Sequence, residues 1–179
     1  MADKKFKVGD KVAYPGQGVA EVVGIAEKSL AGQIIVFFDL RMLETDIRIM
    51  VPVHKAEAVG LRSLVTATEI AQLMQILHQR DVVFDKQTWN RRYRGFVEKI
   101  KTGSLFDVAE VYRDLSMLKH KKVLSFGEKR MLETARALLV KELAVVQGRA
   151  EEPVEAELEA LFAERSEERR VGKECRSRW

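Results

Sequence analysis

Apolar and polar positions change period once along this chain, near residue 65. Before that point they alternate in short runs. Lys11-Val12-Ala13-Tyr14 predicts a strand, Pro15-Gly16-Gln17-Gly18 a turn, and Val19 to Ile25 a second strand. Leu30-Ala31-Gly32-Gln33 turns the chain into Ile34 to Met42, which is rich in β-branched and aromatic residues. A polar turn at Glu44-Thr45-Asp46 leads to a fourth strand, Ile47 to Val53. Four or five short strands with tight turns predict a small β-barrel of the SH3 or Tudor type. In the fourth strand, alternation points Ile47, Ile49 and Val51 inward and Arg48, Met50 and Pro52 outward. A Met and a Pro on the solvent face are either scattered surface apolarity or a docking surface at a sheet edge, where Pro is tolerated.

After Thr66 the period becomes helical. Thr66-x-x-Glu69 is a capping-box pattern for a helix reaching about Arg80, with Ile70, Leu73, Met74 and Leu77 as its stripe. A second helix runs from about Thr88 to Thr102 and stops at Gly103. Ser104-x-x-Asp107 opens a third, with Leu105, Val108, Ala109, Tyr112 and Leu115 on one face. Ser125-x-x-Glu128 opens a fourth, carrying Met131, Leu132, Ala135, Leu138 and Leu139 and ending near Gly148. A last helix covers about Pro153 to Arg165. These stripes suffice for a compact helical bundle. The fold class is therefore α+β with two domains, a β-barrel over residues 1–65 and a helical bundle over 66–165. The connection from Gly60 to Thr66 is short, which predicts a fairly rigid junction.

Composition narrows the function classes. With 46% hydrophobic and 32% charged residues among 179, the chain reads as a folded, soluble protein. No apolar run reaches the roughly 20 residues of a membrane span, and the N-terminal Met1-Ala2-Asp3-Lys4-Lys5 lacks a signal-peptide core, so a cytoplasmic location is expected. Cys175 is the sole cysteine, so no internal disulfide forms. The formal charge is +4, of which the stretch 166–179 carries +2 with five basic and three acidic residues. That stretch has no helical or strand period and reads as a foreign, disordered tail, with a native basic tail as the alternative. Local clusters therefore say more than net charge.

Catalytic and metal-binding patterns are missing. His54, His78 and His120 stand apart from each other and from carboxylates at ligand spacing, so neither a metal nor another cofactor is expected. Gly16-x-Gly18 lacks a third glycine and leads into a strand, so it is no nucleotide loop. No GxxxxGK[ST] loop and no GxSxG elbow occur. An enzyme is not expected.

The densest chemistry is Trp89-Asn90-Arg91-Arg92-Tyr93-Arg94. Arg91, Arg92, Arg94, Lys99 and Lys101 accompany the single acid Glu98. Guanidinium groups neutralise phosphates without reading sequence, and an adjacent ring can stack on a base or wedge into a base step. The competing reading is structural. Trp89, Tyr93, Phe96 and Ile100 share one helix face, so Trp89 could be core and the arginines a solvated face. Its place in the first turn leaves room for exposure. The residues alone leave both readings open.

In order along the chain, Phe6-Lys7-Val8-Gly9-Asp10-Lys11-Val12, Tyr14-Pro15-Gly16-Gln17-Gly18-Val19, Arg48-Ile49-Met50-Val51-Pro52, Trp89-Asn90-Arg91-Arg92-Tyr93, Ala109-Glu110-Val111-Tyr112-Arg113-Asp114-Leu115 and Leu124-Ser125-Phe126-Gly127-Glu128-Lys129-Arg130-Met131-Leu132 form a specific set. This set resembles the CarD/CdnL family of bacterial transcription regulators, most closely its stand-alone CdnL branch. The resemblance implies a Tudor-like N-terminal domain that binds the β subunit of RNA polymerase. It also implies a helical domain that contacts promoter DNA at the upstream edge of the melted region. Carried over, Trp89 is the minor-groove wedge, Arg91, Arg92, Arg94 and Lys129 hold phosphates, and Arg48, Met50, Pro52 and Lys28 contact polymerase. The expected protein is a monomer that reaches the nucleoid through polymerase. Some relatives carry a basic residue where Met50 stands, so this contact should be more apolar and less salt-sensitive. The tail of the longer CarD proteins, with its A·T-tract binding, is not carried over. Two rivals remain: a free-standing DNA-binding regulator, which would need a base-reading helix and usually a symmetric dimer, and an interaction-only adaptor.

Overall fold

The computed structural model describes residues 6–30, 32–80 and 89–163, except the side chains of Leu30, Trp89, Asn90 and Arg91. Among the described residues the first elements are strands β1 (Lys11–Tyr14), β2 (Gly18–Leu30), β3 (Gln33–Met42) and β4 (Arg48–Pro52). A single 3-10 turn, Val53–Lys55, and the short β5 (Arg62–Ser63) follow. All pair antiparallel in the order β4-β3-β2-β1-β5, so β4 and β5 are the sheet edges. One face closes on Phe6, Val12, Ala20, Val22, Phe38, Leu40, Met42 and Val51, with Ala56 and Leu61 beneath. Phe6 meets Phe38 edge-on at 5.7 Å. Burying a side chain such as Phe38 or Leu40 contributes about 1.5–3 kcal/mol.

Among the described residues five helices follow: α1 (Ala67–His78), α2 (Trp89–Lys101), α3 (Leu105–Lys119), α4 (Phe126–Gln147) and α5 (Glu151–Ala163). The caps are those the sequence predicts. Thr66 and Glu69 form a reciprocal box at α1, Ser125 and Glu128 another at α4, and Ser104 caps α3 through Asp107 N. The predicted stripes of α1, α3 and α4 supply a second core, where Leu73, Leu77, Leu115 and Leu139 are fully buried. Arg113, itself buried, donates to Asp114 at 2.8 Å and to Gln79 Oε1 at 3.0 Å, tying α3 to the end of α1. The two-domain α+β architecture read from the hydrophobic pattern is the one observed.

Three details differ. The second strand runs on past Ile25 to Leu30, because Ala26 to Ser29 pair with Ile34 to Phe37 and a partner strand overrides weak local propensity. Ile47 is 57% exposed, not inward, since the chain there is still leaving a turn in which Asp46 takes φ +54°. The last helix starts at Glu151, two residues before Pro153, because proline is tolerated in a first turn whose N–H groups lack helical partners. The expected tail at 166–179 lies outside the described residues.

The two cores are joined by polar contacts. Arg62 of β5 reaches Glu142 of α4 with both terminal nitrogens, at 2.6 and 2.8 Å. Lys141 of α4 pairs with Glu44 of the β3–β4 turn.

Candidate functional site

Strand alternation builds the first surface. With Phe38, Leu40 and Val51 inward, the opposite face carries the cross-strand pairs Phe37–Pro52, Asp39–Met50 and Arg41–Arg48. Phe37, Met50 and Pro52 make an apolar patch there, each half-buried. Polar groups flank it. Arg48 Nη1 lies 3.7 Å from Asp39 Oδ2, and Arg41 Nη2 donates to Glu21 Oε2 at 2.7 Å. Lys28 pairs with Ile35 on the same outward parity and is exposed. Lys28, Arg48, Met50 and Pro52 therefore share one face. Sequence reading missed Phe37, although the inward placement of Phe38 next to it was a sufficient signal.

Because β4 is an edge, its outer backbone groups have no strand beside them among the described pairings. Such an edge can accept an added strand, with the apolar patch giving specificity.

The second surface forms where α2 approaches the start of α4. Arg92 Nη2 stands 3.8 Å from Glu128 Oε1. Lys122 Nζ donates to the same oxygen at 2.8 Å, and the Ser125 backbone N–H donates to Oε2 at 2.8 Å. Burial pushes the Glu128 carboxyl up. The hydrogen bonds from Lys122 and Ser125 outweigh that and hold it below the usual carboxylate range. Glu128 is thus a buried anion that gathers cations around the α4 N-terminus. Its neighbour Lys129 is exposed, as is Arg94 on α2. Lys99 is bonded to Glu110 at 2.5 Å, so one cation of the α2 cluster serves the α2–α3 contact instead.

Arg92 is thereby brought to the start of α4, where Lys129 follows Glu128, while Arg94 is exposed two residues farther along α2. The Trp89 and Arg91 side chains, the other two predicted DNA contacts, lie outside the described residues, although both positions fall in the first turn of α2. Farther along the Trp89 face, Ile100 is buried, Phe96 is partly buried and Tyr93 is 41% exposed. The stripe therefore rises out of the core toward the head of α2. Sequence reading missed Val123 and Phe126, which are 88% and 82% exposed just before and at the start of α4. Locally it read that stretch as a cap, and neither a cap pattern nor a family motif reveals which residues project into solvent.

Among the described residues no group of three or more His, Cys, Asp or Glu side chains is placed to hold a metal ion. Nor is any helix there long and apolar enough to cross a membrane.

Comparison with known proteins covers both halves. Residues 6–65 match the CarD-like/TRCF RID domain, and residues 72–159 match the CarD C-terminal domain. A putative transcription factor of Bacillus subtilis, YdeB, is 32% identical over 153 residues, spanning 84% of this chain and 98% of that protein. Two solved N-terminal domains from Myxococcus xanthus are also similar. The CdnL fragment is 48% identical over 37% of this chain and 93% of its own, with a TM-score of 0.31. The 72-residue CarD fragment is 41% identical over 35% of this chain and 84% of its own, with a TM-score of 0.30. The assignment rests on the family models and the near full-length relative, not on these superpositions. The chain belongs to the CarD family of transcription regulators.

Proposed function

We propose that this protein binds the β subunit of RNA polymerase through its N-terminal domain and stabilises the open promoter complex. Residues 6–65 are the polymerase-docking unit, with Arg48, Met50, Pro52 and Lys28 at the contact and Phe37 among them. Residues 66–163 are the DNA-contacting unit. There Trp89 wedges at the upstream edge of the melted region, and Arg91, Arg92, Arg94 and Lys129 hold phosphates.

One observation carries the reading. A single chain presents an apolar sheet edge on one domain and a cationic helix junction on the other, with a bonded contact between the domains. The match of residues 6–65 to a domain that CarD-like proteins share with TRCF supports polymerase as the partner of the sheet edge.

The energetics need only weak DNA binding. Promoter opening is reversible. A wedge that engages only the melted edge favours the open state by binding that state better than the closed one. Attachment to polymerase raises the wedge's local concentration, so little intrinsic affinity is required. Phosphate contacts then hold position without reading bases. The protein acts as a cytoplasmic monomer that reaches the nucleoid with polymerase.

The test has two parts. A pull-down with β-subunit fragments should capture the full chain. The lifetime of the open complex, followed after adding a competitor, should lengthen when the chain is present. Capture without a longer lifetime would favour an adaptor, and DNA binding without capture would favour a free-standing regulator.

A further inference from the structure

We propose that Arg62 and Glu142 form a positioning clamp that fixes where helix α2 stands relative to the β-sheet. Its functional consequence rests on the polymerase-and-wedge reading above.

The geometry is that of a fork gripping from both sides. Arg62 donates Nη1 to Glu142 Oε1 at 2.6 Å and Nη2 to Oε2 at 2.8 Å. Its third nitrogen, Nε, donates to the Gly103 carbonyl at 2.6 Å. Glu142 Oε1 also accepts the Val65 backbone N–H at 3.0 Å. The carboxylate is 5% exposed and the guanidinium 27%. One residue of the edge strand β5 thus holds three points at once: the middle of α4, the α2–α3 turn and, through Glu142, the connection between the domains. A bidentate pair fixes orientation as well as distance, and such a pair buried within a fold is weak evidence of stability. Its value here is directional.

Steric contacts around it leave no slack. Pro15, in the β1–β2 turn, is held between Gly60 and Gly103. A Cβ at Gly60 would come within 2.9 Å of Pro15 Cγ, and one at Gly103 within 2.8 Å of the same atom and 3.2 Å of the Gly60 carbonyl oxygen. Both glycines have positive φ, +82° and +79°, so no ordinary residue fits either place. The sheet, the connection and the α2–α3 turn therefore close-pack at one point.

That point is the C-terminal end of α2, and Trp89 is its first residue. A 13-residue helix is about 18 Å long at about 1.5 Å per residue. A tilt of about 10° at the Gly103 end would carry the Trp89 end through about 3 Å, close to the roughly 3.4 Å spacing of successive bases along a strand. A sheet docked on polymerase can place a wedge at one chosen base step only if this angle is held. The clamp holds it.

The variant Arg62→Met/Glu142→Gln removes the charges together and keeps an acceptor for Val65 N–H. Apolar or neutral replacement of a buried pair is often neutral for folding. Arg62→Lys keeps a charge but loses the fork. Each is made in a chain with Cys175→Ser, Glu27→Cys and Glu133→Cys, which places spin labels at two exposed positions on the two domains. Pulsed electron resonance then reads the distance distribution between the domains. Thermal melting, polymerase capture and open-complex lifetime are measured on the same variants without labels.

The clamp predicts a broadened distance distribution in both variants and an unchanged melting temperature in the double variant. Polymerase capture should stay within about twofold, while open-complex lifetime falls by about fivefold or more as tethering no longer aims the wedge. A distribution as narrow as the parent's overturns the proposal. So does a broadened one with an unchanged lifetime. Should the parent itself fail to lengthen the open complex, the polymerase-and-wedge reading fails, and the distance measurement alone still decides whether the pair sets the domain geometry.

Discussion

The Arg92 guanidinium stands 3.8 Å from the carboxylate of Glu128, whose side chain is 1% exposed. A buried carboxylate thus lies beneath a cationic surface. It holds Lys122 at 2.8 Å as well, and it closes the capping box of α4. Removing its charge would release two cations and unmake part of a cap. Glu128→Gln should therefore lower folding stability by about 1–2 kcal/mol, measured by denaturant unfolding. An unchanged midpoint would mean that the carboxylate organises nothing.

The same group predicts a pH dependence. Its pKa in the folded protein lies below the unfolded value, because the bonds from Lys122 and Ser125 outweigh the upward push of burial. A depressed carboxylate stabilises the fold at pH above the unfolded pKa of about 4.3, and that contribution is lost as pH falls through the folded value. The stability gap between the parent and Glu128→Gln should be constant near neutrality and narrow below about pH 4. A gap that widened there would reverse the assigned sign.

The proposed docking face gives a different kind of prediction. Met50 projects from the side of β4 opposite Val51, so a charge there should not disturb the core. Met50→Asp should leave the melting temperature nearly unchanged and weaken polymerase capture by about 1–3 kcal/mol, the cost of setting an unpaired carboxylate against an apolar contact. Phe37→Ala should act in the same direction. Full-strength capture by a folded Met50→Asp would move the docking surface elsewhere.

How far the sequence carried depends on which interactions were local. The caps at Thr66, Ser104 and Ser125 were legible because each bonds three residues ahead in the chain. The stripes of α1, α3 and α4 were legible because burial follows helical period. Ile47 misled because strand alternation cannot tell where a turn releases the chain. The Arg62–Glu142 contact was illegible: it spans 80 positions, and neither residue departs from its local pattern. The outward face of edge strand β4 and the cationic junction were each readable as residue types. Their relation was not, because it depends on that distant contact and on two glycines packed against Pro15.

Arg94 and Arg92 should separate under mutation. Arg94 is exposed, so Arg94→Ala should leave stability unchanged and lower the slope of log affinity against log salt by roughly one counterion, equally across promoter sequences. Arg92 also faces Glu128, so Arg92→Ala should lower the slope and destabilise the fold together. Titration of both variants on two unrelated promoters checks this. A loss confined to one sequence would indicate direct base readout.

Trp89 decides the mechanism. On its helix face Ile100 is 8% exposed and Tyr93 41%, so the stripe leaves the core within α2, about one turn short of its first residue. A ring at position 89 that belonged to the core would cost roughly 3–5 kcal/mol of folding stability on truncation to alanine. The wedge reading expects instead that Trp89→Ala melts within a few degrees of the parent, captures polymerase equally well and shortens the open-complex lifetime toward that of polymerase alone. Trp89→Phe should recover part of the lifetime, since a smaller ring still intercalates and stacks. Thermal unfolding measured beside open-complex decay separates the readings. A large fall in melting temperature with unchanged decay for the folded fraction would return Trp89 to the core and leave the cationic junction without its wedge.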